Sequence, residues 1–298
     1  MIYEEIASNK RKSYFLLFVF IVLIVALGLV LGQYFFNNLY FGVILAVIVS
    51  VSYMLISYYA GDKMILAISG AKPVEKKDYP YLYNTVEGVS IAAGIPMPKI
   101  YVIDNTAINA FATGRDPKHA SITVTKGAIQ KLNRQELEGV IGHEMSHIKN
   151  FDIRLMMLTA VLIGITVLLS DILLRSFIFG GGRRDHRGGG NITVIFVLVG
   201  LVLAILAPLI AKLIQLAISR KREYLADADG ALLTRYPKGL ADALKKIKND
   251  KEPLVGSANK ATAHLYIANP LKNIKGTFNS LFSTHPPIDE RIKRLEAM

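Results

Sequence analysis

The stretch Gly142-His143-Glu144-Met145-Ser146-His147 decides how the rest of this chain is read. On a helix, residues four apart share a face, so His143 and His147 stand on adjacent turns of one side. Two imidazoles so placed can hold one Zn2+. Glu144 lies beside them, positioned to take a proton from a water that the metal activates. The flanking residues read as that helix: Asn133 is the N-cap, Gln135 and Glu136 sit in the first turn, and Leu137, Val140, Ile141 and Ile148 form an apolar stripe. Two histidines do not close a catalytic zinc site, which commonly has three protein ligands and a water. The chain holds only six histidines, so the candidates for a third ligand are few. His119 sits near a loop, His186 in a Gly-rich connector, and His264 and His285 near the C-terminus. The carboxylates Glu223 and Asp227 remain. The run from Ser219 to Asp229 should be helical, with Glu223 and Asp227 on one face. A helix that brings Glu223 to a metal can also bring Asp227 to the non-metal nitrogen of a ligand histidine and fix its tautomer. The same two acids also suit a solvated face among basic neighbours.

The composition points to a membrane. Of 298 residues, 52% are hydrophobic, too many for an ordinary water-soluble enzyme. The apolar residues gather in four segments, from about Tyr14 to Phe36, Leu39 to Tyr59, Leu155 to Phe179 and Ile192 to Ile218. Each is close to or above the roughly 20 residues that cross a bilayer as a helix. The first resembles a signal peptide, but its apolar core is too long and no small-residue cleavage site follows, so it reads as a retained anchor. Cysteine is absent, which excludes disulfides and thiolate metal sites and fits a reducing compartment. The net charge of +12 reads first as attraction to anionic lipid. No RNA-binding motif or basic recognition helix supports nucleic acid as a partner.

The charges also orient the chain. The loop Gln33 to Asn38 is uncharged, whereas Lys10, Arg11 and Lys12 precede the first segment and Lys63, Lys72, Lys76 and Lys77 follow the second. This asymmetry places both ends of the first hairpin in the cytoplasm. The second hairpin carries polar interruptions. Asp171 and Arg175 interrupt the third segment, spaced to pair on one helix face, and Pro208, Lys212 and Gln215 interrupt the fourth. The connector Gly180 to Gly190 carries Arg183, Arg184 and Arg187, which would lie outside if the hairpin crosses. A hairpin that stays on the cytoplasmic side is the alternative. Between the hairpins, Tyr79 to Ala93 reads as a helix, Gly94 to Pro98 as a turn, and Lys99 to Ile103 and Ser121 to Thr125 as strands.

With its H-E-x-x-H, a distant E-x-x-x-D at Glu223 to Asp227 and four apolar segments in this order, the chain resembles the HtpX membrane metalloproteases, which are gluzincins. Further pieces carry the resemblance: Asn109-Ala110-Phe111-Ala112-Thr113-Gly114, Arg222 to Asp229, and Ser283-Thr284-His285-Pro286-Pro287 followed by Arg291. The resemblance implies that His143, His147 and Glu223 ligate one Zn2+ per chain. Glu144 is then the general base and Asp227 the acid beside a ligand histidine. His285 and Arg291 would contact substrate or the tetrahedral intermediate, and Asn109 and Ala110 would lie on an edge strand that pairs with substrate backbone. It also implies quality control of damaged or misassembled membrane proteins.

The fold expected is therefore mainly α and integral to the membrane: four transmembrane helices and a cytosolic zincin-like domain with a small β-sheet. Residues 1–60 would be the first hairpin and 61–150 the catalytic part with the H-E-x-x-H helix. Residues 151–218 would be a second membrane-spanning or membrane-associated hairpin, and 219–298 the part bringing the third ligand. The function expected is that of a zinc endopeptidase at the cell membrane acting on unfolded membrane proteins. The rivals are a narrow-specificity processing peptidase and a non-catalytic membrane adaptor with a degenerate metal site. Intact Glu144 argues against the adaptor.

Overall fold

The structure is a computed structural model that describes residues 2–164, 220–254, 258, 262–270 and 286–298. It opens with two long helices, α1 (Ile2–Phe36) and α2 (Leu39–Ile68), joined at Asn37 and Asn38. Asn37 takes a positive φ of 47°, and the Asn38 side chain caps the amide of Phe41. Both are roles that asparagine fills readily, because its short polar side chain bonds to nearby backbone.

The residues of α2 are distributed the reverse of a water-facing helix. From Gly42 to Gly61 its buried residues, Gly42, Ala46, Ser50, Ser57 and Gly61, are all small and recur at helical spacing, and only near its end do the larger Ile65 and Leu66 become buried. The outward residues include Leu39, Tyr40, Ile44, Leu45, Ile48, Leu55, Ile56 and Tyr59. Gly28 and Gly32 of α1 lie so close to Gly42 that a Cβ on any of the three would overlap the facing helix. Small residues between helices and large apolar ones outside are the packing rule of bilayer helices, where no hydrophobic effect drives the helices together. Among the described residues, α2 is the helix long and apolar enough to cross a membrane. The first two expected segments thus form α1 and α2. The third is seen only at its start, in a helix over residues 152–164 whose residues from Leu155 to Ile163 are buried. The remainder of that segment, the connector and the fourth segment lie outside the described residues.

A four-stranded sheet follows, with β1 (Lys72–Pro73), β2 (Lys99–Ile103), β3 (Ala110–Gly114) and β4 (Ala120–Thr125) in the order β1-β2-β4-β3. β2 runs parallel to β4 and the other two pairs are antiparallel, which leaves β3 at one edge. Helix α3 (Pro80–Ala93) stops at Gly94, whose φ of 67° closes the helix in a left-handed turn. Its buried residues Leu82, Val86, Val89 and Ala93 recur every three or four positions and pack with the sheet in one core. The short α4 (Lys126–Lys131) leads into α5 (Arg134–Lys149), which carries the H-E-x-x-H. The two chain sections meet here. α7 (Arg220–Thr234) and α8 (Pro237–Asn249) pack on α5, and α9 (Ile288–Glu296) closes the layer; α6 is the helix over residues 152–164. Leu137, Ile141, Met145, Leu240, Leu244 and Leu295 share that core. A second core joins the base of the hairpin to α6 and β3. Within it Phe111 and Tyr266 meet edge to face at 4.9 Å.

Candidate metal centre

α5 starts with a reciprocal cap. Asn133 accepts from the Glu136 amide, and the Glu136 carboxylate accepts from the Asn133 amide, an arrangement in which each residue satisfies an amide of the other. The helix runs through the core, and His143, Glu144 and His147 are all buried. Each imidazole has its Nδ1 on an aspartate. His143 Nδ1 lies 3.0 Å from Asp227 and His147 Nδ1 lies 2.9 Å from Asp152. Both Nε2 atoms are thereby aimed the same way, 3.2 Å apart, and each lies 3.7 Å from a Glu223 oxygen. Among the described residues these three side chains form a group able to hold a metal ion.

The donor set fits a zinc ion. Ligand atoms at about 2.1 Å from a tetrahedral ion lie roughly 3.4 Å from one another, and the distances above bracket that value. The electrostatics fit as well. Burial alone would lower the His147 pKa, but the Asp152 hydrogen bond and the carboxylates of Glu223 and Glu144 outweigh it and raise it to about 9. That is a field strong enough to hold a positive charge. Burial lowers His143 to about 4, against the Asp227 hydrogen bond, so this imidazole is kept as a neutral donor. Burial raises Glu144 to about 7. Among the described residues neither of its oxygens has a side-chain hydrogen-bond partner, though both are buried. A buried carboxylate left so is costly, and it stands ready for a water or substrate proton. The Ala112 amide of β3 faces it.

Glu223 and Asp227 come one turn apart on α7, and the close crossing of α5 and α7 allows this. A Cβ at Gly230 would lie 2.8 Å from the His143 backbone nitrogen, and one at Gly142 would lie 3.0 Å from the Gly230 oxygen. Asp227 is held from behind by Arg291, whose Nε and Nη2 donate to its two oxygens at 2.9 and 2.7 Å. Burial works to raise the Asp227 pKa, but Arg291 and the His143 hydrogen bond outweigh it and hold the carboxyl well below the usual range. Arg291 Nη1 donates to the Ile267 carbonyl, and its Nη2 lies 3.4 Å from His143 Nδ1.

The structure brings His143, Glu144, His147, Glu223, Asp227 and Arg291 together. Arg291, read from the resemblance as a substrate contact, is fully buried with its guanidinium committed to Asp227 and Ile267. His285 lies outside the described residues, as does His186. Of the other ligand candidates, His119 is exposed and pairs with Asp116, while His264 is buried with Nε2 3.1 Å from the Met156 carbonyl; neither belongs to the group. Ala110 opens edge strand β3, but its carbonyl accepts from the Ile267 amide and the Asn109 side chain donates to the Ala268 carbonyl. Asp152 was missed by sequence reasoning. It follows the second histidine by five residues, beyond the end of α5. It returns to His147 because Phe151 takes a left-handed φ of 60°, which a periodicity argument does not foresee.

Two imidazoles and a remote glutamate around one point, with a second glutamate in the helix turn between the imidazoles, are the arrangement of an H-E-x-x-H metallopeptidase. The model of Peptidase family M48 matches residues 76–298. A "Protease HtpX homolog" of Dictyoglomus thermophilum is 50% identical over 99% of this chain and 94% of its own length. Those of Tropheryma whipplei and Ligilactobacillus salivarius are 45% and 42% identical, over 100% of this chain and 99% and 100% of theirs. Among solved structures, S. mikatae Ste24p is 19% identical with a TM-score of 0.49, covering 98% of this chain and 66% of that one. The chain belongs to peptidase family M48, as an HtpX-type protease.

Proposed function

We propose that this protein is a membrane-anchored zinc endopeptidase that cleaves unfolded or misassembled membrane proteins on the cytoplasmic side. The observation that carries the reading is the convergence of both Nε2 atoms and Glu223 within 3.2 to 3.7 Å, beside a buried Glu144 that has no side-chain hydrogen-bond partner among the described residues. His143, His147 and Glu223 would hold the zinc. When bound there, zinc supplies Lewis acidity toward the scissile carbonyl and makes water easier to deprotonate. Glu144 takes the proton from the attacking water and returns it to the leaving amine. Asp227 and Asp152 each hold an Nδ1–H, so both Nε2 lone pairs face the centre. Arg291 serves through Asp227 as a positioning residue.

Substrate would pair as an added strand along the edge of β3, whose five residues are buried in the described fold. Ala110 and Asn109 bond to the protein's own 267–268 segment, so the pairing falls further along, around Ala112, whose amide faces Glu144. Backbone pairing ignores side-chain identity, which suits a protease of varied unfolded substrates. Four membrane crossings, the division at residues 60, 150 and 218, and a plasma-membrane location belong to the same proposal. The outward apolar face of α2 supports the anchor.

The test uses full-length protein in detergent with an unfolded model substrate. Cleavage should stop on chelation and return with zinc. Glu144→Gln should retain metal and lose activity by about 10²–10⁴-fold, the usual worth of a general base. Chelator-resistant cleavage, or wild-type turnover by Glu144→Gln, would sink the mechanism.

A further inference from the structure

The back of the metal centre reaches the membrane anchor. Asn9 of α1 is fully buried and bonds to three other parts of the fold. Its amide nitrogen donates to the Asp152 carboxylate at 2.5 Å and to the Asn150 carbonyl at 3.1 Å. Its amide oxygen accepts from Arg222 Nη1 at 3.4 Å. The partners fix which way the amide points, because a flipped amide would set its oxygen against a carbonyl and a carboxylate. Asp152 in turn holds His147 Nδ1 at 2.9 Å. Arg222, on the helix that carries Glu223, also lies 3.9 Å from Asp152. One side chain on α1 therefore joins the residue that orients His147 to the helix that supplies the third ligand.

The surroundings fasten Asn9 in place. Ser13, one turn on, donates back to the Asn9 carbonyl, and Lys10 lies 4.3 Å from the centre of the Phe151 ring. Phe151 is the residue whose left-handed conformation turns Asp152 toward His147. Tyr14, the first of the outward-facing large side chains of α1 with Phe15 and Phe18, lies only about 8 Å along the helix from Asn9 at 1.5 Å per residue.

We propose that Asn9 is a positioning residue for the metal centre, holding Asp152 on His147, so that metal affinity depends on how the anchor helix α1 is seated. The inference rests on the zinc-peptidase reading above. Partners behind a ligand histidine fix its ring and raise its basicity, and losing them commonly lowers metal affinity by about 10–100-fold. The same logic extends one residue further back.

The test is a double-mutant cycle on full-length protein in detergent, read by the dissociation constant for zinc and by the absorption spectrum of the cobalt-loaded protein. The variants are Asn9→Leu, Asp152→Ala and the two combined, with Asn9→Ala in place of Asn9→Leu if the latter does not accumulate. Asn9→Leu should weaken zinc binding about 10-fold and shift the cobalt bands, while the metal-free protein melts near the wild-type temperature. The double variant should bind zinc no more weakly than Asp152→Ala alone, since coupled residues are not additive. Wild-type affinity and an unshifted cobalt spectrum in the Asn9 variants would overturn the proposal. So would additive losses, or a loss matched by an equal fall in metal-free melting. Failure of the wild type itself to bind zinc would instead overturn the zinc reading.

Discussion

His143 and His147 each have their own carboxylate, and the two carboxylates are held differently. Asp227 lies in the fork of a buried arginine, whereas Asp152 depends on the Asn9 amide and a more distant Arg222. Glu223→Ala should abolish stoichiometric zinc, and Asp227→Ala should weaken binding by about 10–100-fold. His264→Ala and His119→Ala should leave metal content unchanged. Metal analysis of the four variants checks the ligand set, and full occupancy in Glu223→Ala would remove that residue from it. Arg291→Met deletes the guanidinium but leaves the Asp227 carboxylate buried. Removing one partner of a buried ion pair costs about 3–5 kcal/mol, so this variant should unfold at clearly lower denaturant. If Arg291 instead acted mainly on substrate, stability would hold while activity fell.

Helix crossings bring these residues within reach of one another. α5 and α7 approach through Gly142 and Gly230, where a side chain would meet backbone. Gly230→Ala should push α7 off α5 and draw Glu223 and Asp227 away from the histidines. Overpacking of this kind costs about 1–3 kcal/mol, and the loss of zinc affinity should exceed what the fall in stability accounts for. Calorimetric zinc titration together with a denaturant melt separates the two, and unchanged affinity would show that the crossing has room to spare. Edge strand β3 also meets α5, with the Ala112 amide against Glu144.

At the scale of the whole molecule, the hairpin and the centre share one end. The uncharged turn between α1 and α2 lies at the far end, and Lys10, Arg11, Lys12 and Lys63 lie at the end that bears Asn9 and Asp152. Positive residues stay on the cytoplasmic side, so the centre should face the cytoplasm. The chain has no cysteine, and Lys118 is exposed on the turn after β3. Lys118→Cys is thus a clean reporter. It should resist a membrane-impermeant thiol reagent in intact cells and react after lysis. Labelling of intact cells would reverse the orientation and end the cytoplasmic quality-control reading.

The sequence by itself determined the helix, the pair of histidines and the glutamate between them, because all three follow from one helical period and a cap. It determined the remote pair Glu223 and Asp227 as a shared face for the same reason, and the apolar hairpin from length and hydropathy. Whether that face met the histidines or the solvent was open, since spacing carries no information across 75 residues of intervening chain. The tertiary structure decided it, through a glycine crossing that brings α7 onto α5. It also decided what stands behind His147. Asp152 reaches back around a left-handed Phe151, and Asn9 comes from a helix 138 residues before that histidine. Such contacts are long-range hydrogen bonds with no periodicity of their own, and they exist only once the elements have packed.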